Sequence, residues 1–199
     1  EYAHNLAGEP RDRVSFDVAL GSLSRLDSSA GELLRRRGAF ARCIQMLGAL
    51  DVAAKLSVAH ARERVQFGRP LSQFQAVQHS LAAMAGEIEN ARAATVLAVA
   101  AASDYGFGAE QTAYAVTVAK VVLGCAVEPV TTIAHQLHGA IGTTFEHPLW
   151  LATLRARSWS TEFGATAEHA RRLGRDALAV AHDPDMLWDL IVGSPRVQW

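Results

Sequence analysis

The chain has 199 residues, of which 50% are hydrophobic and 20% are charged, and its formal net charge is −1. This length and composition predict one soluble globular domain with a substantial core, and the nearly neutral charge argues against partners such as nucleic acid or an anionic membrane surface. Charged or polar residues interrupt every apolar run before it reaches the roughly 18 residues of a membrane span, so we expect no membrane segment.

The two cysteines indicate a reducing, cytoplasmic location. Cys43 and Cys125 lie far apart and lack a CxxC spacing, so we expect neither a disulfide framework nor a zinc site. The sequence begins at Glu1 rather than Met and has no signal-peptide pattern. We interpret it as a processed or partial form of a longer protein.

The first element in chain order is a candidate strand at residues 14–20. Val14, Phe16 and Val18 alternate with polar or small residues, which is the period of a half-buried strand. A turn rich in Gly and Ser follows at residues 21–31, and no strand pattern returns after it. We therefore interpret residues 1–28 as the end of a preceding β-domain with its linker.

Residues 29–182 form the main predicted domain, and their pattern is helical. Apolar residues recur at spacings of three and four, which predicts long helices at residues 32–66, 72–103 and 110–138 and shorter ones at residues 148–160 and 165–181. Gly68 and Pro70 end the first helix. Ser72 is predicted to cap the second helix, with Gln75 as its capping-box partner. Pro129 lies inside the third and is expected to kink it or remove one hydrogen bond.

Long antiparallel helices with tight turns and apolar seams predict an all-α, up-down helical bundle, preceded by the remnant strand. The tail, residues 183–199, carries two of the four tryptophans and is expected to dock on the body or on a partner.

Familiar catalytic and metal-binding signatures are missing from the sequence. It contains no GxSxG, GxxxxGK[ST] or HExxH motif, and no GxGxxG follows a strand. His135 and His138 lie three residues apart, as two ligands on one helix face would. No second pair or Glu-x-x-His motif accompanies them, so we predict no metal site.

Two segments carry more information. Residues 61–71 read ARERVQFGRPL and are followed by FQAVQH, and residues 136–143 read QLHGAIGT and are followed by EHP. Arg64 offers a planar fork of donors that suits a pyrophosphate, and Gly139 and Ala140 allow a ligand to approach the backbone closely. The alternatives are a solvated arginine at a helix C-terminus, which favours cations anyway, and a plain turn between helices.

Together and in this order, the two segments resemble the helical domain of the acyl-CoA dehydrogenase family. That domain shows the pattern ARxRxxFGxPL-xxFQxxQ and, on a later helix end, QxxGGxGxxxExP. Ala140 replaces the second glycine here, and the resemblance covers residues 13–182. The stretch HQLHGAIG at residues 135–142 more weakly resembles the two-component dehydrogenases of bacterial steroid breakdown.

The resemblance implies FAD as the cofactor, with its adenosine pyrophosphate reaching across a subunit boundary. Arg64 matches the family's pyrophosphate-contacting arginine, Phe67 the neighbouring aromatic and Gln75 a glutamine of the same site. The full predicted FAD-contacting set is Arg64, Gln66, Phe67, Gln75, Gln136, Leu137, His138, Gly139 and Ala140. The implied partners are a second acyl-CoA dehydrogenase subunit in a homo- or hetero-oligomer (dimer or tetramer), an acyl-CoA substrate and an electron-transfer acceptor.

The catalytic base is where the sequence departs from the family. Members remove the α-proton of the thioester with a carboxylate, whose position is strict. Alignment from Pro148 puts Phe163 at the usual glutamate position, with Glu162 one residue earlier. Other members carry a glutamate near the start of the long helix, where this chain has Arg37-Gly38-Ala39. Glu162 is thus a displaced base or a solvated, structural residue, and in the second case the base lies outside this chain.

Three functional hypotheses follow. The first is a subunit or fragment of a FAD-dependent acyl-CoA dehydrogenase that introduces an α,β double bond into a CoA thioester. The second is a non-catalytic subunit of a heteromeric enzyme that supports its partner's flavin and assembly. The third is a helical bundle used only for assembly. Because the family's other two domains are not in these residues, we expect the chain to act with a partner chain.

Overall fold

The computed structural model describes residues 1–180 and Asp189. In this part of the chain the helices are α1 (Ala30–Glu63), α2 (Gln75–Tyr105), α3 (Glu110–His138), α4 (Leu149–Thr161) and α5 (Thr166–Val180). The prediction of an all-α bundle is confirmed. The predicted tail, residues 183–199, lies outside the described residues except for Asp189.

Contacts at the helix ends fix the helix directions. Arg36, near the start of α1, donates to the carbonyls of Phe107 and Ala109 just before α3. His60, near the end of α1, stacks on His138 at the end of α3. Helices α1 and α3 are therefore parallel, and α2 runs antiparallel to both. Helices α4 and α5 run back along α3, which completes an up-down arrangement.

The core lies along one seam of each long helix. The buried residues of α1 recur at spacings of three and four, and those of α2 and α3 meet them in one apolar cluster. Fully burying one large apolar side chain of this seam contributes roughly 1.5–3 kcal/mol. The largest such side chains are Met46, Leu50, Met84, Leu123 and Leu149.

A small hairpin ends α1 earlier than the predicted residue 66. Val65 and Gln66 form strand β1, which pairs antiparallel with strand β2 at Arg69–Pro70. The two turn residues, Phe67 and Gly68, have φ angles of 52° and 77°, which is the sign pattern of a type I′ hairpin turn. Strand pairing therefore replaces the last helical turn.

The predicted cap at Ser72 is wrong. Residues Leu71–Gln73 form a 3-10 turn, closed by the Phe74 N–H on the Leu71 carbonyl, and α2 begins at Gln75. No side chain caps its N-terminus. The 3-10 turn has no apolar periodicity of its own. The helical pattern was therefore extended into the turn, and the predicted start of α2 was too early. By contrast, α3 has the predicted bounds and runs through Pro129 without a break.

The predicted strand at residues 14–20 is also absent. Val14, Phe16 and Val18 are 66%, 81% and 52% exposed, and the segment is irregular up to a 3-10 turn at Leu20–Ser22. A strand needs a hydrogen-bonded neighbour, and none of the described residues offers one. The assignment of residues 1–28 to a preceding domain stays a prediction.

Among the described residues, one helical stretch, Glu110–Thr143, is long and apolar enough to cross a membrane. Half of its most apolar window is buried inside the bundle, as expected for the core helix of a bundle.

Candidate functional site

The first motif segment forms an exposed cationic and aromatic corner at the end of α1. Arg64 follows α1 directly, its backbone N–H bonds to the His60 carbonyl, and its side chain is exposed. Phe67 is 89% exposed, and its ring centre lies 6.2 Å from that of Phe74 in an edge-to-face arrangement. The Arg69 guanidinium lies 4.1 Å from the Phe74 ring centre. Gln66 and Gln75 are exposed beside this corner.

The second motif segment forms a tight turn after α3. Gln136 is exposed, Leu137 is half-buried and His138 is 5% exposed. Gly139 has a φ of +62°, and the 3-10 turn Gly139–Thr143 follows it. A Cβ added at Gly139 would meet nothing within 4 Å, so the backbone is open to a ligand there.

Three histidine rings join the two segments at one end of the bundle. The His138 ring lies 4.6 Å from the His60 ring, nearly parallel to it, and 4.6 Å from the His147 ring. His60 belongs to the last turn of α1, His138 ends α3 and His147 precedes α4. The structure therefore brings the two predicted FAD segments together, although 71 residues separate Phe67 from His138 in sequence.

Glu162, the predicted displaced base, lies in a network of ion pairs at the end of α4. One carboxylate oxygen accepts from Arg11 at 2.5 Å and from Asn5 at 3.3 Å, and the other accepts from Arg42 at 2.6–2.7 Å. Burial alone would raise the pKa of Glu162, but the hydrogen bonds from Arg11, Asn5 and Arg42 outweigh it and lower the pKa below its ordinary value. A carboxylate held in this way is a poor proton acceptor.

Phe163 follows with a left-handed backbone, at a φ of 56°. Its ring lies against Gly38 of α1 so closely that a Cβ built on Gly38 would come within 2.3–2.6 Å of three ring carbons. Glycine is therefore required at position 38 while the ring keeps this place. Two residues 125 positions apart in sequence thus form one contact.

The buried cation Lys120 holds the turn that carries these residues. Its side chain is fully buried, and Nζ donates to the carbonyls of Ser160 at 3.0 Å and Glu162 at 2.9 Å. Burial lowers the pKa of Lys120 below its ordinary value. A cation at the end of α4 satisfies carbonyls that have no partner within the helix.

A cavity of about 320 Å³ opens beside the Phe163 ring, between α1, α3 and α5. Charged side chains dominate its lining, and two ion pairs, Arg35–Glu168 and Arg172–Glu32, close at 2.9 and 3.1 Å across it. This lining suits water and ions rather than an aliphatic chain.

Residues 32–178 match the family described as acyl-CoA dehydrogenase, C-terminal domain. The chain belongs to the acyl-CoA dehydrogenase family. The match spans most of the sequence and covers both motif segments and the α4–α5 turn.

Curated relatives agree with this assignment. The acyl-CoA dehydrogenase IpdE2 of Mycolicibacterium smegmatis is 31% identical over 156 residues, which cover 78% of this chain and 47% of the relative. The 3-sulfinopropanoyl-CoA desulfinase of Paraburkholderia xenovorans is 32% identical over 178 residues, which cover 85% of this chain and 44% of the relative. The chain thus spans about half the length of these relatives.

Solved structures give the same fold. A variant of the Tcur3481-Tcur3483 steroid ACAD superposes with a TM-score of 0.81 at 28% identity, over 92% of this chain and 49% of that chain. The ChsE4-ChsE5 complex from Mycobacterium tuberculosis superposes with a TM-score of 0.75 over 88% of this chain and 48% of that chain. At 21% identity, the second likeness shows the fold alone.

The contact between Phe163 and Gly38 gains meaning within the acyl-CoA dehydrogenase family. The resemblance predicts the two positions of a catalytic glutamate at Phe163 and at the Arg37-Gly38-Ala39 stretch. The Phe163 ring lies against Gly38 in the structure, so the two predicted positions lie next to each other in space. The sequence motifs alone could not show that Phe163 and Gly38 meet.

Other contacts at the site were missed by sequence reasoning. Lys120 is a lone charge in the apolar run of α3, and that isolation was a usable signal for a buried, capping cation. His60 and His147 gave no signal alone, because the stack requires three elements to converge. The Arg11 and Arg42 partners of Glu162 lie 151 and 120 residues away and match no motif. Among the described residues no group of three His, Cys, Asp or Glu is arranged to hold a metal ion.

Proposed function

We propose that this chain is a subunit, or part of one, of a FAD-dependent acyl-CoA dehydrogenase that introduces an α,β double bond into a CoA thioester. Its own contribution is the site for the adenosine-pyrophosphate end of FAD, at the boundary with a neighbouring subunit. The observation that supports this is the convergence of the two motif segments at one end of the bundle, where Arg64 is exposed. Within residues 1–180, Arg64 makes no ion pair.

The residues present fit FAD at this corner. Arg64 supplies a cation, Gln66 and Gln136 supply exposed amide groups, and Phe67 supplies an exposed aromatic face. Gly139 leaves its backbone open at a left-handed φ that favours glycine. His138, by contrast, offers FAD only its backbone, because its ring is buried. When bound, FAD accepts the hydride that leaves the substrate.

The proton-abstracting base of the proposed reaction comes from outside residues 1–180. Glu162 is paired with two arginines and its pKa is lowered, and the family resemblance predicts the base one residue later, at Phe163. Phe163 has no group that accepts a proton. The phenylalanine at this position supports a reaction in which this chain binds the cofactor and a partner or a further segment removes the proton.

A second candidate function is a non-catalytic subunit that supports the partner's flavin and the assembly. The specific observation in its favour is the Phe163 ring on Gly38, beside a cavity whose lining is charged rather than apolar. Two findings distinguish the candidates in the purified assembly. Turnover of a CoA thioester with an artificial electron acceptor, lost when only Phe163 or the cavity beside it is altered, supports a chain with an active centre of its own. Turnover that is indifferent to these changes supports the non-catalytic subunit.

The proposed partner is a second acyl-CoA dehydrogenase subunit. Two of the structures that share this fold pair different chains by name, Tcur3481 with Tcur3483 and ChsE4 with ChsE5. Large apolar side chains also remain exposed on the described helices, as at a surface that a partner covers. They include Leu34, Ile44 and Val52 on α1 and Val96 and Leu97 on α2. The proposal includes a CoA thioester as substrate and an electron-transfer acceptor for the reduced flavin.

The test measures the Kd for FAD of the Arg64→Ala variant, in the assembly that the chain forms in its native host. A charge-assisted hydrogen bond contributes about 1.5–3 kcal/mol, so the Kd for FAD should rise about 10- to 150-fold. Lys55→Ala is the matched control, because it removes an exposed cation from the same helix away from the corner. An unchanged Kd in Arg64→Ala would show that the pyrophosphate binds elsewhere.

A further inference from the structure

The rings of His60, His138 and His147 form a histidine stack, and hydrogen bonding defines the protonation state of His138 within it. His138 Nδ1 lies 2.7 Å from the Ala134 carbonyl oxygen, so this nitrogen carries the proton that it donates. His138 Nε2 is buried and has no partner within the described residues. A second proton there would create a buried cation with no acceptor, so the ring is held neutral.

The stack also lies where the two FAD segments meet. The His60 carbonyl accepts the backbone N–H of Arg64 at 2.9 Å, and His138 directly precedes Gly139. The turn after Gly139 folds back onto His138, because a Cβ added at Gly142 would lie 2.8 Å from the His138 Cβ. Movement of the His138 ring is therefore coupled to both segments.

We propose that His138, stacked between His60 and His147, is a positioning residue that fixes the Arg64 corner relative to the Gly139 turn and thereby sets FAD affinity. The inference rests on the proposed function. It differs from the direct contacts proposed above, because the imidazole acts through its neighbours and does not reach the cofactor.

The same geometry makes FAD binding sensitive to acid. Burial lowers the pKa of His138 below its ordinary value of 6.5, as do the neighbouring histidines, and burial likewise lowers the pKa of His60. A histidine with a lowered folded pKa leaves the folded state unaffected above pH 6.5 and destabilises it as the pH falls below that value. The titratable and charged groups that face the stack are His60 and Glu63 from α1, Arg64 directly after α1, His135 from α3 and His147 from the loop before α4.

The experiment measures the Kd for FAD of the full assembly from about pH 7.5 to about pH 5, with the folded fraction followed by circular dichroism. His138→Phe keeps an aromatic ring in the stack but cannot be protonated, so FAD affinity should be retained and should fall less steeply with acid than in the wild type. His138→Ala removes two stacking contacts and should raise the Kd about 5- to 150-fold at every pH.

His60→Ala serves where His138→Ala does not fold, because His60 is only half-buried and forms one side of the stack. Loss of the stacking contact with His138 should raise the Kd about 2- to 12-fold, with the more distant edge contact to His147 adding to it. His4→Ala, which alters an exposed histidine in the N-terminal segment, is the control and should behave as the wild type does.

The outcomes separate this inference from the proposed function. If Arg64→Ala weakens FAD binding while His60→Ala and the folded His138 variants keep the wild-type Kd and pH profile, the positioning role is wrong and the FAD site stands. If Arg64→Ala leaves the Kd unchanged, the FAD site itself is misplaced and the positioning role fails with it. A flattened pH profile in His138→Phe together with weakened binding in His60→Ala supports the inference.

Discussion

Replacing Gly38 by alanine tests whether the Phe163 ring packs on Gly38, where the family resemblance predicts the base. The new Cβ would lie 2.3–2.6 Å from three ring carbons, well inside the roughly 3.5–4.0 Å at which carbon atoms pack. Either the helix and ring strain apart, at a cost of about 1–3 kcal/mol, or the ring leaves. The ring is 41% exposed, so leaving sacrifices only part of the roughly 1.5–3 kcal/mol that full burial of a phenylalanine contributes.

The less unfavourable of these two responses determines the effect, so the new methyl group should lower the free energy of unfolding by about 1–2 kcal/mol. Alanine also stabilises a helix interior by about 0.5–1 kcal/mol relative to glycine, which offsets part of that cost. Gly48→Ala isolates the helix term, because Gly48 lies in the same helix and a Cβ there would meet nothing within 4 Å. We therefore expect Gly38→Ala to be about 1–2 kcal/mol less stable than Gly48→Ala.

The assay is urea unfolding of both variants, repeated in a Phe163→Ala background. Without the ring, the difference between the two glycine substitutions should disappear, since the two residues interact directly. Equal stability of Gly38→Ala and Gly48→Ala with the ring present would refute the contact, and with it the argument that this position is blocked.

Four further predictions address the base, the cofactor corner and the assembly. Glu162→Gln should leave most of the assembly's turnover intact, and a fall of about three orders of magnitude or more with FAD still bound would identify Glu162 as the base. Because the folded pKa of Glu162 is lowered, its ionised form stabilises the chain above its ordinary pKa of 4.5, and this contribution is lost as the pH falls through the folded pKa. Acid unfolding monitored by circular dichroism should therefore be less steep in Glu162→Gln. Gln136→Ala should raise the Kd for FAD about 2- to 12-fold, less than Arg64→Ala does, because a neutral hydrogen bond contributes less than a charge-assisted one. Sedimentation at micromolar concentration should show an oligomer that contains this chain, and a stable, folded monomer would contradict the interface proposal.

The helices were predictable because their apolar periods are long and uninterrupted. Helix α3 has the predicted bounds, since its seam is continuous from Glu110 to His138. The end of α1 and the start of α2 were displaced by a hairpin and a 3-10 turn, whose hydrogen bonds leave no period in the sequence. The strand at residues 14–20 failed for a different reason. An alternating pattern predicts a strand with one apolar face that must be buried. No described residue covers that face of residues 14–20.

The candidate site divides in the same way. Arg64, Phe67 and Gly139 could be predicted as FAD contacts because each lies in a short motif whose spacing is local. The contact of Phe163 with Gly38 and the pairing of Glu162 with Arg42 depend on how α4 and α5 return along α1, which no local pattern encodes. Pairwise geometry at long sequence separation is what the structure adds.

The positions of these features along the chain bear on how the proposed cofactor site relates to the proposed absence of a base. Gly38 and Arg64 are separated by 26 helical steps, or about 39 Å at 1.5 Å per residue. One extended FAD molecule does not reach from one to the other, so under the proposed function the Arg64 corner and the Phe163 position of a single chain belong to different active centres. Filling one with a phenyl ring leaves the other intact. The proposed role of Arg64 is therefore directed at a centre completed by a neighbouring subunit, and it holds whether or not this chain performs chemistry at its own.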